Sequence, residues 1–520
     1  MIRKDKLQQN AGELNTSVSV KDLHYVCRVC DLRIKYNYCN GDRCLPYITS
    51  KEKRQIIFNE PMSEYSGVRF TSDAMDCSLP MSIDSHSGCS FGCLYCFSNN
   101  LQRAVDRNPS KIESMLLRKN MYGEWPIKQL AKFLNRELNL PMARAMYPLI
   151  DTGMPIQLGA LGDPLDDLEE VSGWLLKAVP LFVQHKQPVR LSTKGARVMM
   201  LKKYRDTFHA NPEQFWFAFS IITADDEKLE AVDIAAPNAT ERLKAMKAYS
   251  KAGHPVSLRF RPFLLGISDY HKKAAKGEGW KVLLEKAAEA GAKAISFEFI
   301  FLNSALTPRQ NVMYKQMFKI QEMPQFGELW NGASNPKESC RRASRSLKFD
   351  LTMAIREKTH ELGMVFGCSD PHFKEYNDTG SCCGILPDDP WFGKWSRRQL
   401  TNVIVEMRKA YEAGKPVRVT YKDWAPEWAH KIVAGDMIAF NNYHARRVNK
   451  YMTFGDNMRN KWNNPNHPRG PYIYFAGMMR PVGTDTATGD LVYEYQKWDP
   501  HFDKTFKGTV NEMNKKESKL

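Results

Sequence analysis

No stretch of this 520-residue chain approaches the ~20 consecutive apolar residues that a bilayer-spanning helix needs, so no membrane role is expected. Met1-Ile2-Arg3-Lys4-Asp5-Lys6 leads into polar residues with no hydrophobic segment behind it, so no secretory signal is visible. There is no internal repeat, which argues against a solenoid, and no phosphate-binding P-loop. Acidic residues are in deficit: 58 Asp and Glu face 75 Lys and Arg, a net charge of +17. A positive field of that size draws polyanions, and nucleic acid is the expected partner, although a basic surface kept for solubility has the same composition. A hydrophobic share of 43% and an aromatic share of 11% exclude a disordered chain, and the length exceeds one ordinary core, so two or three domains are expected. Twelve cysteines without a visible export signal read as metal ligands rather than disulfides, which implies a reducing, cytoplasmic setting.

The cysteines are concentrated. In Gly88-Cys89-Ser90-Phe91-Gly92-Cys93-Leu94-Tyr95-Cys96-Phe97, three of them stand at C-x3-C-x2-C spacing, with an aromatic residue before the third. Glycines allow the tight turns that aim three thiolates at one point. Three thiolates suit zinc or an iron–sulfur cluster, but both normally take four protein ligands. A cluster with one open iron fits the count. A zinc knuckle that borrows Cys77 or His86 is the alternative.

A second group, Cys27, Cys30, Cys39 and Cys44, lies in the stretch 1–75 among Arg and Tyr residues. A structural zinc site, an auxiliary iron–sulfur cluster and unligated thiols all remain open for it. Between 76 and 385 short apolar runs alternate with amphipathic segments. Strands are expected at 81–85, 155–161, 189–193, 215–222, 256–260, 294–301 and 364–366. Helices are expected at 125–138, 165–184, 196–208, 240–252, 280–290 and 351–362. This is the pattern of a parallel α/β sheet, partly or fully closed as a barrel, with its chemistry at the C-terminal strand ends. Those ends carry Gly162 and Asp163, then Lys194, then Ser220. Beyond the sixth strand come Cys340, Cys368, Cys382 and Cys383. Cys368 and Cys383 are candidates for a hydrogen-donating thiol or a second cluster; burial as small hydrophobes is the plain alternative. Residues 386–520 read as an α+β accessory domain with a helix at 395–413 and strands at 417–424, 471–476 and 491–495. Its Trp428, Tyr443, Arg446, Arg459, Lys461 and Trp462 interleave aromatic and basic side chains, as a base-stacking platform or an ordinary core would.

The C-x3-C-x-aromatic-C loop resembles the signature of the radical S-adenosylmethionine (SAM) enzymes. That resemblance implies a partial (β/α)6 TIM-type barrel, a [4Fe-4S] cluster on Cys89, Cys93 and Cys96, and SAM chelated to the open iron. It also implies an external one-electron reductant and a 5′-deoxyadenosyl radical. The order of the later loops, through Ser192-Thr193-Lys194 to Arg261-Pro262-Phe263-Leu264-Leu265-Gly266, is similar to the spore photoproduct lyase-like branch. By that resemblance Tyr95 lies against adenine, Gly162 and Asp163 border the cofactor, and Lys194 and Ser220 contact SAM. One position departs from the branch. The turn after the second strand of the repeat, Ala160-Leu161-Gly162-Asp163, lacks the thiol that returns a hydrogen atom in the lyase. An isomerisation in which 5′-deoxyadenosine itself returns the hydrogen is then the expected outcome, on a base or a base-attached group in DNA. Phage thymidine-hypermodifying isomerases, which act in the host cytoplasm, are one such setting. The alternatives are a radical SAM enzyme on a peptide or small metabolite, and a non-enzymatic zinc-stabilised nucleic-acid-binding protein.

Overall fold

The computed structural model describes residues 68–71, 76–85, 89, 91, 93–97, 124–233, 235–303, 340–343, 345–393, 399–415, 417–424, 438–439, 451–452, 454–467 and 469–498. Cys27, Cys30, Cys39 and Cys44 lie outside the described residues, as do Trp428, Tyr443 and Arg446.

The main sheet begins with the two-residue strand β1 (Arg69–Phe70), antiparallel to β2 (Met81–Ile83). From β2 the sheet is parallel through β3 (Ile156–Leu158), β4 (Val189–Thr193), β5 (Phe215–Ser220), β6 (Val256–Phe263) and β7 (Ala294–Phe299). A short antiparallel pair, β8 (Phe301–Asn303) and β9 (Cys340–Arg342), interrupts the order before β10 (Val365–Cys368) joins β7 in parallel. Seven parallel strands in sequential order, wrapped by helices, make the expected partial barrel with one strand beyond a six-fold repeat. No strand pairing joins β10 back to β2 among the described residues, so the barrel is open.

Side chains span the gap that strands leave. Ser78 and Ser381 share a hydrogen bond of 2.6 Å between their hydroxyls. The Lys374 ammonium meets Asp76 at 2.7 Å, and Asp76 also accepts from the backbone and hydroxyl of Thr401 at 2.6 Å each. Burial lowers the Lys374 ammonium, but Asp76 outweighs it, and the group is held well above its ordinary value.

The helices differ from the expected bounds where the backbone demands it. The single helix expected over 165–184 is two, Asp167–Ser172 and Trp174–Gln184, because Gly173 between them is left-handed at φ +56°. The helix expected over 196–208 is likewise split into Ala196–Met199 and Lys202–His209. The 240–252 helix forms as Ala239–Lys251 behind a capping box of Asn238 and Glu241.

In the C-terminal part β11 (Arg418–Val419) pairs with β15 (Leu491–Tyr495), which pairs with β14 (Met479–Thr484); β12 (Ile438–Ala439) pairs with β13 (Tyr451–Met452). The strand expected at 471–476 is instead the helical turn Pro471–Tyr474, since Pro471 at the first helical position suits a helix start. The strand expected at 417–424 gives way to the helix Tyr421–Trp424 after two residues. Trp424 and Trp462 stack at 5.5 Å with Tyr493 edge-on to Trp462, all of them buried. Arg459 is paired with Asp490 at 2.7 Å, and Lys461 is buried. At these positions Trp424, Trp462 and Tyr493 form a core with Tyr421 and not a stacking platform, while Arg459 stays partly exposed at its edge.

Gly159 ends β3 at φ +77°, and a Cβ there would stand 2.5 Å from the Ser192 carbonyl oxygen and 2.7 Å from Pro164 Cδ. Gly363 has φ +69° with nothing within 4 Å of the same position. Gly363→Ala should therefore cost about 1–2 kcal/mol, the conformational term alone. Gly159→Ala should cost more, because β4 must shift as well. Urea denaturation of the two variants checks this, and equal losses would contradict it.

Candidate active site

The cysteine loop follows β2 directly and is strapped to the segment after β5. Leu94 N donates to Val232 O at 2.9 Å, and Ala235 N donates to Phe91 O at 3.0 Å. Inside the loop Cys96 N reaches Cys93 O at 3.2 Å. Cys93 is buried, while Cys89 and Cys96 are half-buried. Burial pushes the Cys93 thiol well up, and Asp233, Cys89 and Cys96 add to the shift, so the three sulfurs share one electrostatic neighbourhood. Among the described residues no group of three or more His, Cys, Asp or Glu is arranged as a metal ligand set. The donor chemistry still fits a soft metal: neutral thiols have nothing to draw them together, and such ligands converge when they lose their protons to the metal.

Asp233 lies beneath this loop. Its carboxylate accepts from the Tyr95 hydroxyl and pairs with the Arg242 guanidinium at 2.7 Å, both acid and base being fully buried. Burial would raise the Asp233 carboxyl, but Lys194 and Arg242 outweigh it and hold it below its ordinary value. Arg242 also donates to the Ser220 carbonyl at 2.8 Å, which fixes the end of β5. Lys194, at the end of β4, sits 5.2 Å over the Tyr95 ring. Burial lowers its ammonium, yet Cys93 and Asp233 more than compensate and raise it. Tyr95, Lys194 and Ser220, predicted as cofactor contacts, are thus gathered beside the cysteine loop.

Gly162 and Asp163 lie next to them in a different role. Asp163 accepts from Leu165 N at 3.0 Å, Thr193 Oγ1 at 2.7 Å and Lys194 N at 2.6 Å, so its carboxylate is used to lock the β3 turn onto the end of β4. Burial pushes its carboxyl up despite those bonds. The amides of Leu161 and Gly162 donate to Asp84 at 2.9 and 3.2 Å, and Arg69 pairs with Asp84. Ala160 rides on this tethered turn.

The inner face of the barrel is polar. Along β4, β6 and β7 the residues alternate, with Arg190, Ser192, Ser257, Arg259, Arg261, Ser296 and Glu298 on one face and large apolar residues on the other. Cys383 reaches this interior from the turn after β10. It packs with Leu79, Trp216, Ile385 and Phe392 in a cluster separate from the main core, and the Ser296 hydroxyl holds the Cys382 carbonyl at 2.8 Å. A hydrogen bond from Cys382 holds the Cys383 thiol well below its ordinary value; burial opposes this, and Arg190, Arg261 and Arg259 reinforce it. Cys382 is correspondingly raised, and burial pushes the neighbouring Cys77 up to about 11. Cys368, the other candidate thiol, is fully buried in the main core, and burial pushes its thiol up. The structure therefore separates two cysteines that the chain order had put together.

Asp233, Arg242, Arg190 and Arg259 were not legible as site residues from motifs. The signal for the arginines is the alternation in Val189-Arg190-Leu191-Ser192 and Val256-Ser257-Leu258-Arg259, since parallel strands covered on both faces normally read as continuous apolar runs.

No protein-family model matches the chain, and no curated protein sequence matches it. Among solved structures it is similar to spore photoproduct lyase complexed with dinucleoside spore photoproduct. The TM-score is 0.42 and the identity 13%, over 65% of this chain and 93% of that one. A mutant of that enzyme with bound AdoMet and dinucleoside spore photoproduct gives the same TM-score, 0.42, at 13% identity over 65% and 93% of the two chains. No helix among the described residues is long and apolar enough to cross a membrane.

Asp233→Asn would leave the Arg242 guanidinium buried without a carboxylate and should destabilise the protein by about 3–5 kcal/mol. Tyr95→Phe removes one hydrogen bond to the same carboxylate and should cost less, about 1–3 kcal/mol. Urea denaturation ranks the two; a mild Asp233→Asn effect would mean the ion pair does not organise this end of the barrel.

Proposed function

We propose that the protein is a radical SAM enzyme that modifies or isomerises a base, or a group attached to one, in nucleic acid. The observation that carries the reading is the three-cysteine loop at the C-terminal end of β2, with Lys194 and Ser220 ending β4 and β5 beside it. Cys89, Cys93 and Cys96 would hold a [4Fe-4S] cluster, and Lys194 and Ser220 would hold SAM. When bound, that pair supplies a 5′-deoxyadenosyl radical.

The chain's own residues set the conditions around it. Asp233 and Arg242 fix the loop against the sheet and leave the Lys194 ammonium available to pair with a carboxylate. Tyr95, anchored through its hydroxyl, offers one ring face to Lys194. With Ala160 in the β3 turn, a protein hydrogen donor must come from elsewhere, and the Cys382–Cys383 turn supplies thiols on the lumenal face. The net charge of +17 supports a nucleic-acid substrate. The domain limits at 75 and 385, a cytoplasmic location and a metal site on Cys27, Cys30, Cys39 and Cys44 belong to this proposal.

A second reading, a peptide or small metabolite as substrate, is favoured by one observation: Trp424 and Trp462 are buried against each other and cannot stack on bases.

Anaerobic reconstitution with iron and sulfide should give a brown protein that cleaves SAM when reduced, and the triple alanine variant of Cys89, Cys93 and Cys96 should do neither. A colourless zinc protein would sink the enzyme reading. Mass spectrometry of nucleosides from DNA incubated with the reduced enzyme and SAM should reveal a changed base. Deoxyadenosine formation that ignores nucleic acid but responds to a peptide or metabolite would select the second reading. DNA binding should weaken steeply with salt.

A further inference from the structure

The barrel lumen holds a concentration of positive charge that the described residues neutralise only in part. Arg190 is fully buried on β4, and among the described residues its only hydrogen bonds run from Nη1 to Gln157 Oε1 at 2.9 Å and to the Ser192 hydroxyl at 3.0 Å. Its Nε and Nη2 are buried and make no hydrogen bond. Arg261 on β6 has an unbonded buried Nε, and its nearest carboxylate, Glu298, stands 3.8 Å away and is shared with Arg342 at 3.1 Å. Arg259 acts with them: burial, with repulsion from Arg261 and Arg190, lowers its guanidinium to about 9. A buried guanidinium with two idle donors, as at Arg190, is costly, and two further arginines facing the same interior add to the cost unless an anion completes the site. Among the described residues the anionic groups acting on these arginines are Glu298, shared with Arg342, and the Cys383 sulfur, which makes no hydrogen bond to Arg190.

We propose that Arg190, Arg259 and Arg261 form an oxyanion-binding site in the lumen that receives a phosphate or carboxylate group of the substrate. Guanidinium forks match both oxyanions in bidentate geometry. The register sets the depth. Arg190 pairs with Trp216, four residues before Ser220 on β5, so its backbone lies roughly 13 Å along the strand from the Ser220 level. Arg259 pairs with Ser220 itself. The three arginines thus run from the cysteine-loop end of the lumen inward, and an anion held at Arg190 lies below the place assigned to SAM. That the bound group belongs to a substrate rests on the radical-enzyme reading; the anion site itself does not.

The test is isothermal titration of the full chain with inorganic phosphate, with acetate and with SAM, for the parent protein and for Arg190→Gln and Arg261→Gln. Phosphate or acetate should bind the parent, and each variant should bind it about tenfold more weakly, the loss of one charge-assisted contact. Stronger binding of phosphate names a phosphoryl group on the substrate, and stronger binding of acetate names a carboxylate. SAM affinity should be unchanged in Arg190→Gln. Anion binding that is absent from the parent, or equal in parent and variants, overturns the proposal. So does a loss of SAM affinity in Arg190→Gln, which would assign the arginines to the cofactor. If Arg190→Gln fails to fold by circular dichroism, the half-buried Arg261→Gln decides. Arginine-dependent phosphate binding in a protein that never cleaves SAM would leave the site standing and remove the enzyme reading.

Discussion

Everything at the functional end of this barrel depends on one buried carboxylate, Asp233. A loop as short as 88–97 has no core of its own, so its position must be imposed from outside. The two backbone bonds to Val232 and Ala235 fix its height, and the Tyr95 hydroxyl on Asp233 fixes its orientation. Through Arg242 the same carboxylate reaches the Ser220 carbonyl, and its field reaches Lys194. A buried ion pair of this kind adds little net stability over an apolar packing of equal volume, because both charges lose their water. What it supplies is placement: an apolar side chain at 233 could not hold Tyr95, Arg242 and Lys194 in one register.

The second constraint is the unequal treatment of the two sheet faces. The helix side is closed by Leu191, Phe217, Phe219, Leu258, Phe260 and Phe297, which pack into one continuous core. The inner side carries serines, a glutamine and arginines. A filled barrel is packed by branched apolar residues in layers, and this one cannot be. Its polar wall has meaning only if it is met by polar groups. The opening between β2 and β10 places the Cys382–Cys383 turn against that wall, and Asp76, Lys374 and Thr401 hold the edges of the opening together.

The fold was legible in the sequence to the extent that its cause is local. The alternation of short apolar runs with amphipathic helices marked all seven parallel strands, and glycines at 253, 291 and 363 marked helix ends that the left-handed backbone confirms. The splits at Gly173 and after Met199 were not legible, because the hydrophobic period continues across them. The helical turn at Pro471 was misread for a related reason: a run of aromatic residues suits a strand or a buried turn equally, and packing decides. At the site, motif spacing located Cys89, Cys93 and Cys96, and strand ends located Lys194 and Ser220. It could not separate Asp163, which locks two turns together, from a cofactor contact, since both roles call for a carboxylate in a Gly-rich turn. Asp233 and Arg242 were invisible because a nine-residue separation says nothing about which buried charges will meet.

The arginines and the paired thiols draw on the same positive charge, and that links them. Returning a hydrogen atom requires an S–H bond. The hydrogen bond from Cys382 lowers the Cys383 thiol, Arg190, Arg261 and Arg259 lower it further, and the Cys382 thiol is raised. An oxyanion seated on Arg190 and Arg261 would take up part of the field that holds the Cys383 proton off, so its arrival would push Cys383 back toward the thiol. Linkage makes the effect reciprocal: a thiolate at Cys383 weakens anion binding by the same factor that the anion raises the thiol. The arginines would thus tie the protonation of the Cys383 thiol to the occupancy of the anion site, while the neighbouring Cys382, whose thiol is raised, keeps its own proton in either state.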